Sequence, residues 1–293
     1  MRGHAPHVLI PCANKLGESV VWHQATQRLI WLDLLDPAIF IHEDGDQAQR
    51  RGLPLEAPLG ALVAADDPDI MVITHHGGIV TYRISDGVIR PFGNPEGKRD
   101  AVAYNDGKVD RFGRFWVGTS HIDEKDPRGA LWCVLPSGEA TLGDVGFAVS
   151  NGPACSPDGR TLYFNDTLGR RTLRYEISPN DTYPRNRTIL TQYDSEEGYP
   201  DGITVDAEGC LWVAHWEGGR ITRLSPEGER LQTYKFPVSN VTSLCFGGQK
   251  YERLFVTTAK DPRKEEPEAG HLFVLEAGVR GLPEPLFPLC SLK

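Results

Sequence analysis

The sequence lacks long apolar segments and clusters of basic residues. No stretch approaches the roughly 18 consecutive apolar residues of a membrane-spanning helix. The first residues are also too polar for a signal peptide, so we expect a cytoplasmic protein with no membrane partner. Lys and Arg total 31 against 40 Asp and Glu, and the formal net charge is -9. This balance argues against nucleic acid as a partner, because phosphate contacts require grouped cations.

The cysteines exclude the common cysteine-based sites. All six stand far apart, at positions 12, 133, 155, 210, 245 and 290, with no C-x-x-C pair. We therefore expect reduced thiols that act as small buried residues, as is usual in the cytoplasm. The sequence also contains no G-x-S-x-G motif and no Ser-His-Asp arrangement that would supply a covalent nucleophile.

Short strand patterns, by contrast, recur along the whole chain. Six apolar, aromatic-rich segments begin at residues 28, 70, 114, 161, 210 and 253, a spacing of 42 to 49 residues. A strand and a turn such as VDRFGR, CSPDGR or VDAEGC precede each segment, and a third strand follows it. Six repeats of three to four strands predict an all-β protein, a six-bladed β-propeller that residues 1–293 form as one domain.

A propeller must also close into a ring. The segment HVLIPC, residues 7–12, precedes the first repeat and has no partner within it. We predict that this segment pairs with the last blade, beside the strands of residues 241–275. The N-terminal strand would then complete the sixth sheet.

Oxygen-bearing side chains recur at the start of the first strand of several repeats. The innermost strands of a propeller surround its axis, so these side chains should meet there. Glu18, Asn151 and Asp201 would bring two carboxylates and one carboxamide to that point. Any one of them alone could simply cap a turn, but their shared place in the repeat favours a joint role. Because adjacent carboxylates repel, they predict a bound cation.

The predicted ligand set contains oxygen donors and no His or Cys. Such a set favours a hard divalent cation such as Ca²⁺, Mg²⁺ or Mn²⁺, and Zn²⁺ or Fe²⁺ would be tolerated. The third repeat places Asn105 in the same region, and His121 ends the second strand of that repeat. His121 could therefore rim the pocket, as could His215 or one of His75 and His76.

Five stretches of the sequence resemble those of a known family. The stretches LGESVVW, NDGKVDRFGRFWVGT, SNGPACSPDGRTLYFNDT, PDGITVDAEGCLWVA and CFGG are similar, in order and spacing, to those of the senescence marker protein 30 (SMP-30), gluconolactonase and regucalcin-like family. The resemblance spans residues 16 to about 260. It implies a six-bladed propeller, one divalent cation near the axis and hydrolysis of sugar lactones.

The resemblance also assigns roles to individual residues. Glu18, Asn151 and Asp201 match the metal ligands of the family, and Asp201 could act as the general base of a metal-assisted hydrolysis. Asn105 matches a residue that contacts substrate or metal-bound water, and Asp123 falls where an acidic residue lies near the sugar hydroxyls. One departure is Ala103, which stands where some members carry a substrate-gripping Arg; the nearest Arg in sequence is Arg99.

These observations predict a metal-dependent lactonase that opens sugar lactones such as glucono-, xylono- or arabinolactone to the aldonic acid. Two alternatives share the same metal site. One is a calcium-binding regulatory protein without turnover, and the other is an esterase or phosphotriesterase. A pocket rimmed by Asn105, Asp123 and a histidine would favour a polyhydroxylated substrate over an apolar ester.

Overall fold

The computed structural model describes residues 5–43, 45, 47–97 and 101–289. Within these ranges the chain forms 24 strands and one turn of 3-10 helix, Ser195–Glu197. The strands build six antiparallel sheets of four strands each. The predicted six-bladed β-propeller is therefore confirmed. No helix in the described part of the chain has the length and hydropathy needed to cross a bilayer.

The strands follow chain order from the axis outward in each blade. The chain begins with β1 (His7–Ile10). Blade 1 contains β2 (Gly17–His23), β3 (Arg28–Asp33), β4 (Ala38–His42) and β5 (Gln49–Gly52). Blade 2 contains β6 (Leu59–Ala64), β7 (Ile70–His75), β8 (Gly78–Arg83) and β9 (Ile89–Gly93). Blade 3 contains β10 (Val102–Val109), β11 (Phe115–His121), β12 (Gly129–Val134) and β13 (Ala140–Phe147).

The remaining three blades repeat this order. Blade 4 contains β14 (Ser150–Cys155), β15 (Thr161–Asp166), β16 (Arg171–Ser178) and β17 (Asp181–Gln192). Blade 5 contains β18 (Tyr199–Val205), β19 (Leu211–Trp216), β20 (Arg220–Leu224) and β21 (Arg230–Lys235). Blade 6 contains β22 (Asn240–Gly247), β23 (Arg253–Ala259) and β24 (Leu272–Glu276), and β1 is its outermost strand.

The ring closes as the sequence predicts. β1 pairs with β24 in antiparallel register, with His7 opposite Val274 and Val8 opposite Phe273. The first strand of the chain therefore lies in the same sheet as its last three strands. This pairing joins the two ends of the propeller through main-chain hydrogen bonds.

Burial explains the residue pattern of the strands. The second strand of a blade has other strands on both sides and other blades on both faces; in β3 all residues after Arg28 are buried. Its sequence is accordingly a continuous apolar run rather than an alternating one. Six hydrophobic clusters lie between neighbouring blades, and they hold Trp31, Trp116 and Trp212 completely buried. These tryptophans therefore pack between the blades.

The recurring D-x-x-G turns have a specific structural cause. In blade 5, Oδ1 of Asp206 accepts hydrogen bonds from the backbone N–H groups of Glu208 and Cys210. Its Oδ2 accepts the indole N–H of Trp212 at 2.9 Å and the guanidinium of Arg223. In blade 3, Asp110 likewise accepts the indole N–H of Trp116, but its guanidinium partner is Arg114, four residues further along the chain. This aspartate thus fixes both the turn and the core tryptophan.

Every innermost strand carries a β-bulge at the same place. In blade 5, Pro200 pairs with His215 and Ile203 pairs with Val213, so two residues of β18 stand opposite one of β19. The same interruption occurs in the other five blades. A bulge leaves its residues out of the ladder and redirects their side chains. It is at this point of the strands that the polar side chains stand.

The C-terminal segment crosses the far end of the axis, a feature that the repeats do not predict. Gly281 forms a bridge with Asp206 of blade 5, and Phe287 forms one with Ala65 of blade 2. Phe287 is completely buried between blades 2 and 3. The segment therefore ties blades together that are distant in sequence.

Candidate active site

The predicted polar residues surround one cavity at the entrance to the axis. This cavity has a volume of about 570 Å³ and opens at the starts of the innermost strands. Five of the predicted residues line it: Glu18, Asn105, His121, Asn151 and Asp201. They come from blades 1, 3, 4 and 5, so the propeller brings together residues that are up to 183 positions apart in the chain.

The bulges place these residues in two slightly different positions. Glu18 and Asn151 are the last paired residues before the bulges of β2 and β14. Asn105 and Asp201 are the first residues of the bulges themselves in β10 and β18. The sequence repeats place the three predicted ligands at equivalent positions. In the structure, Asp201 lies one residue further along its strand, relative to the bulge, than Glu18 and Asn151 do. Both positions nevertheless face the cavity.

Glu18 and Asp201 are carboxyl groups in an environment that disfavours negative charge. They are only 6% and 5% exposed. Burial raises the pKa of Glu18 well above its ordinary value, and the nearby Asp106 carboxyl raises it further. Burial likewise raises the pKa of Asp201, followed by repulsion from Glu18. A proton or a cation is therefore needed to stabilise this pair.

Asn151 is held in a fixed orientation. Its side-chain N–H group donates a hydrogen bond to the hydroxyl of Thr167 (3.0 Å), which in turn donates to the backbone carbonyl of Pro200 (2.9 Å). Its carbonyl oxygen accepts a hydrogen bond from Nδ2 of Asn105 at 2.9 Å. Asn105 also donates to the backbone carbonyl of Ser150 at 2.7 Å. The two carboxamides thus present oxygen atoms rather than N–H groups for a further partner.

A column of buried and partly buried charged groups continues below the cavity. Asp106 accepts hydrogen bonds from the N–H groups of Gly107 (2.8 Å) and Gly152 (3.1 Å), and burial raises its pKa to about 6. The ammonium group of Lys108 lies two residues further along β10, where it lowers the pKa of Asp106 and Glu18. Lys108 in turn pairs with Glu284 of the C-terminal segment at 3.0 Å. Sequence reasoning missed this column, although the NDGK stretch contained its first members.

Two consecutive acids follow His121 and Ile122, and the second of them lines the cavity. Asp123 is exposed in the turn after β11 and is not among the residues that line the cavity. The adjacent Glu124 does line it, with a backbone φ of 55°. Burial raises the pKa of Glu124, and its charge contributes to the raised pKa of Asp201. In this turn conformation Glu124, rather than Asp123, forms part of the cavity wall.

The histidines occupy different environments. His121 is 8% exposed, and within the described part of the chain its Nδ1 atom has no hydrogen-bond partner. His75 and His76 are not among the residues of the cavity wall, and neither is His215, which is completely buried against the ring of Tyr193. His121 is therefore the one predicted rim histidine that reaches this cavity.

Ala103 lines the cavity where the resemblance expects Arg in some members. None of the described residues that line the cavity is Lys or Arg. Arg99 lies outside the described residues. The described wall is therefore acidic at its base, with apolar side chains around it.

One other group of potential metal ligands is explained by the fold. Asp206, Glu208 and Cys210 lie close together in the blade 5 turn. Both oxygens of Asp206 already accept hydrogen bonds from the turn, Trp212 and Arg223. This group acts as a structural turn.

The fold and the site together define a six-bladed β-propeller with a carboxylate-lined pocket on its axis. Residues 16–260 match the family described as SMP-30/Gluconolactonase/LRE-like region. The chain belongs to this family.

Individual relatives extend over almost the whole chain. It is 31% identical over 282 residues to regucalcin from Gallus gallus, covering 92% of this chain and 93% of the relative. It is 28% identical over 264 residues to YvrE of Bacillus subtilis, whose name proposes a sugar lactone lactonase, with coverage of 88% and 90%. The solved structure of a calcium-binding protein, regucalcin, from Agrobacterium tumefaciens superimposes with a TM-score of 0.91 at 26% identity, covering 97% of each chain.

Proposed function

We propose that this protein is a metal-dependent lactonase that hydrolyses neutral sugar lactones to aldonic acids in the cytoplasm. The observation that carries the proposal is the pair of buried carboxyls, Glu18 and Asp201, in a cavity large enough for a small ligand. Membership of the family and the likeness to YvrE support this activity. The five described cysteines are free thiols, which agrees with the proposed location.

The residues present fit a divalent cation. Glu18, Asn151 and Asp201 would hold it through two carboxylates and one carboxamide oxygen. The two carboxyls have raised pKa values because charge is unfavourable there without a partner. Asn151 directs its carbonyl oxygen to the cation because its side-chain N–H group donates a hydrogen bond to the hydroxyl of Thr167. The oxygen-only donor set suits Ca²⁺, Mg²⁺ or Mn²⁺, with Zn²⁺ and Fe²⁺ as further candidates.

A cation bound there supplies positive charge that polarises a carbonyl oxygen and makes a neighbouring water more acidic. The protein residues position and deprotonate the reactants. Asp201 would take the proton from the attacking water as general base, since its carboxylate lies in the wall of the cavity. The water oxygen would bond to the carbonyl carbon of the lactone while the bond from that carbon to the ring oxygen breaks. The proton held by Asp201 would then pass to the ring oxygen, which becomes a hydroxyl of the open aldonic acid.

Polar groups around the cavity would orient the sugar ring. Asn105 uses its N–H group for Ser150 and Asn151, so its carbonyl oxygen is available to accept a hydrogen bond from a hydroxyl. His121, which also lines the cavity, offers a second contact. Asp123 remains a predicted sugar contact, although Glu124 is the acid in the wall. With Glu18 and Asp201 compensated by the cation, Glu124 remains as an acidic group of the described wall and disfavours phosphorylated or carboxylated lactones, because like charges repel.

The activity is tested on a panel of pentono- and hexonolactones. The wild-type protein is freed of metal, and each divalent ion is restored singly. Asp201→Asn, which keeps the size of the side chain, is expected to lower kcat at least a hundredfold. Glu229→Gln, which neutralises an exposed carboxylate elsewhere in blade 5, is the matched control. Tight ion binding without turnover of any lactone would instead support the calcium-binding alternative.

A further inference from the structure

The mouth of the cavity carries large apolar side chains in contact with solvent. Leu35, Ile122 and Leu168 line the cavity and are 51%, 47% and 40% exposed. Each lies in the turn between the second and third strands of its blade, in blades 1, 3 and 4. The three turns therefore place equivalent apolar residues around one opening.

Further apolar residues extend this surface into the cavity. Leu16, Pro58, Tyr199 and Trp216 also line it and belong to blades 1, 2 and 5 or the segments that lead into them. Ala103 adds a small apolar side chain in blade 3. The carboxyls Glu18 and Asp201 lie in the same cavity, so polar and apolar surfaces are continuous.

Exposed hydrophobic residues elsewhere have a different distribution. Leu142, Ile189 and Leu231 are exposed to a similar degree, but they lie on the outermost strands of blades 3, 4 and 5. Scattered apolar residues of this kind are normal on a protein surface. A group of them around a ligand cavity is typical of a binding site.

We propose that the natural substrate is an amphiphilic lactone, whose hydroxylated ring enters the acidic cavity while an apolar substituent packs against Leu35, Ile122 and Leu168. This inference rests on the proposed lactonase function. We assign the apolar rim to a substituent of the substrate itself, because the rim residues and the carboxyls line the same cavity. A small, fully hydroxylated lactone would leave these three side chains in water.

The test compares two unreactive ligands in the presence of Ca²⁺. One is an aldonolactam with free hydroxyls, and the other is the same lactam with a benzyl ether on the hydroxyl farthest from the carbonyl. A lactam has N–H in place of the ring oxygen and is not hydrolysed, so its affinity reports on the rim whether or not lactones turn over. Calorimetry on the full chain measures the ratio of the two dissociation constants.

We expect the wild-type protein to bind the benzylated lactam about tenfold more tightly or better, from partial burial of the ring. The rim variant Leu35→Ser/Ile122→Ser/Leu168→Ser should reduce this ratio to near one. The control variant Leu142→Ser/Ile189→Ser/Leu231→Ser changes residues of similar exposure and should keep the wild-type ratio.

Equal affinity of the wild-type protein for the two lactams, or no binding of the benzylated one, would overturn the inference. A rim variant with the wild-type ratio would overturn it as well. Failure of the proposed function has a different signature, namely no hydrolysis of any lactone, plain or benzylated, whatever the lactam ratio.

Discussion

The ammonium group of Lys108 lies 3.0 Å from Oε1 of Glu284, a residue 176 positions further along the chain. Glu284 also accepts a hydrogen bond from the hydroxyl of Thr204 in blade 5. The C-terminal segment thereby places a carboxylate under the axis, where it compensates the charge of Lys108. The pair joins blade 3, blade 5 and the end of the chain at one point.

The first prediction concerns this pair. Glu284→Gln should lower the free energy of unfolding by about 2 kcal/mol, because it leaves the partly buried charge of Lys108 with less compensation. Glu276→Gln, which weakens an exposed pair with Arg253, should change it by less than about 0.5 kcal/mol. Urea denaturation measures both. Equal effects would show that Glu284 contributes no more than a surface charge.

The second prediction concerns pH and cation binding. Glu18 and Asp201 have raised pKa values in the folded state, so their protonation favours folding. That contribution is complete below the pKa of the unfolded chain and is lost as pH rises through the folded pKa. The metal-free protein should therefore gain more thermal stability from the same Ca²⁺ concentration at about pH 8 than at about pH 5, where protons compete.

Thermal unfolding followed by circular dichroism measures this gain. At one fixed Ca²⁺ concentration, a hundred times the dissociation constant at pH 8, the expected stabilisation is about 2.7 kcal/mol at pH 8 and less at pH 5. The variant Glu18→Gln/Asp201→Asn should show no Ca²⁺-dependent gain at either pH. A gain that is the same at both pH values in the wild-type protein would argue against these carboxyls as the binding groups.

The third prediction uses His215. Burial lowers its pKa to about 3, and within the described residues neither ring nitrogen has a hydrogen-bond partner. Below about pH 6.5 the unfolded chain takes up a proton that the folded chain does not. The folded state should therefore lose about 1.4 kcal/mol per pH unit from this group between about pH 6 and pH 4.

Replacement by an apolar ring tests this contribution. His215→Phe keeps the edge-to-face contact with Tyr193, whose ring centroid is 5.0 Å away. Its free energy of unfolding should fall less steeply with decreasing pH than that of the wild-type protein. Parallel pH profiles for the two proteins would mean that His215 does not titrate differently on unfolding.

The fourth prediction concerns the orientation of Asn151. Thr167→Val removes the hydroxyl that accepts a hydrogen bond from Asn151 and donates one to Pro200. Cation affinity should fall about tenfold, because the ligand oxygen is no longer fixed. Thr222→Val is the matched control, since the hydroxyl of Thr222 is buried with no partner in the described chain. Calorimetric titration with Ca²⁺ compares the two variants, and equal affinities would contradict the assigned role of Thr167.

The fifth prediction concerns Gly202 beside Asp201. A Cβ atom at this position would lie 2.8 Å from the carbonyl oxygen of Thr242 and 2.9 Å from the Cα atom of Ser243. Gly202→Ala should therefore destabilise the fold by about 1–3 kcal/mol and displace Asp201, which lowers turnover. Gly52→Ala meets no atom within 4 Å and serves as control. Wild-type stability and turnover in Gly202→Ala would show that the strand adapts without cost.

Much of the fold is readable from the sequence because each blade repeats the same local signals. The apolar second strands begin within one residue of the predicted positions, from Arg28 in β3 to Arg253 in β23. The aspartates of the turns, such as Asp206, act through bonds within a few residues. Closure by β1 follows from the one strand left without a partner in its own repeat.

The same repeats locate the site, but less accurately. They bring Glu18, Asn151 and Asp201 to one cavity because matching strand starts converge on the axis. They do not show that Asp201 belongs to the bulge while Asn151 precedes it, since this depends on hydrogen-bond register. The consecutive acids Asp123 and Glu124 are ambiguous for a related reason, namely that the turn conformation decides which of them lines the cavity.

The remaining features depend on contacts outside the repeats. Glu284 belongs to a segment with no counterpart in the blades, so no periodicity connects it to Lys108. The apolar rim cannot be found from sequence motifs either, because Leu35, Ile122 and Leu168 lie in turns whose lengths differ from blade to blade. Only their common exposure at one cavity distinguishes them from other surface residues.

The central claim is that Glu18, Asn151 and Asp201 bind one divalent cation on the axis. Calorimetric titration of Ca²⁺ into the metal-free protein, beside the variant Glu18→Gln, tests it most directly. We predict one site per chain in the wild-type protein and an affinity at least a hundredfold lower in the variant. Equal binding by both proteins, or no binding by the wild-type protein to Ca²⁺ or any other divalent ion, would contradict the claim.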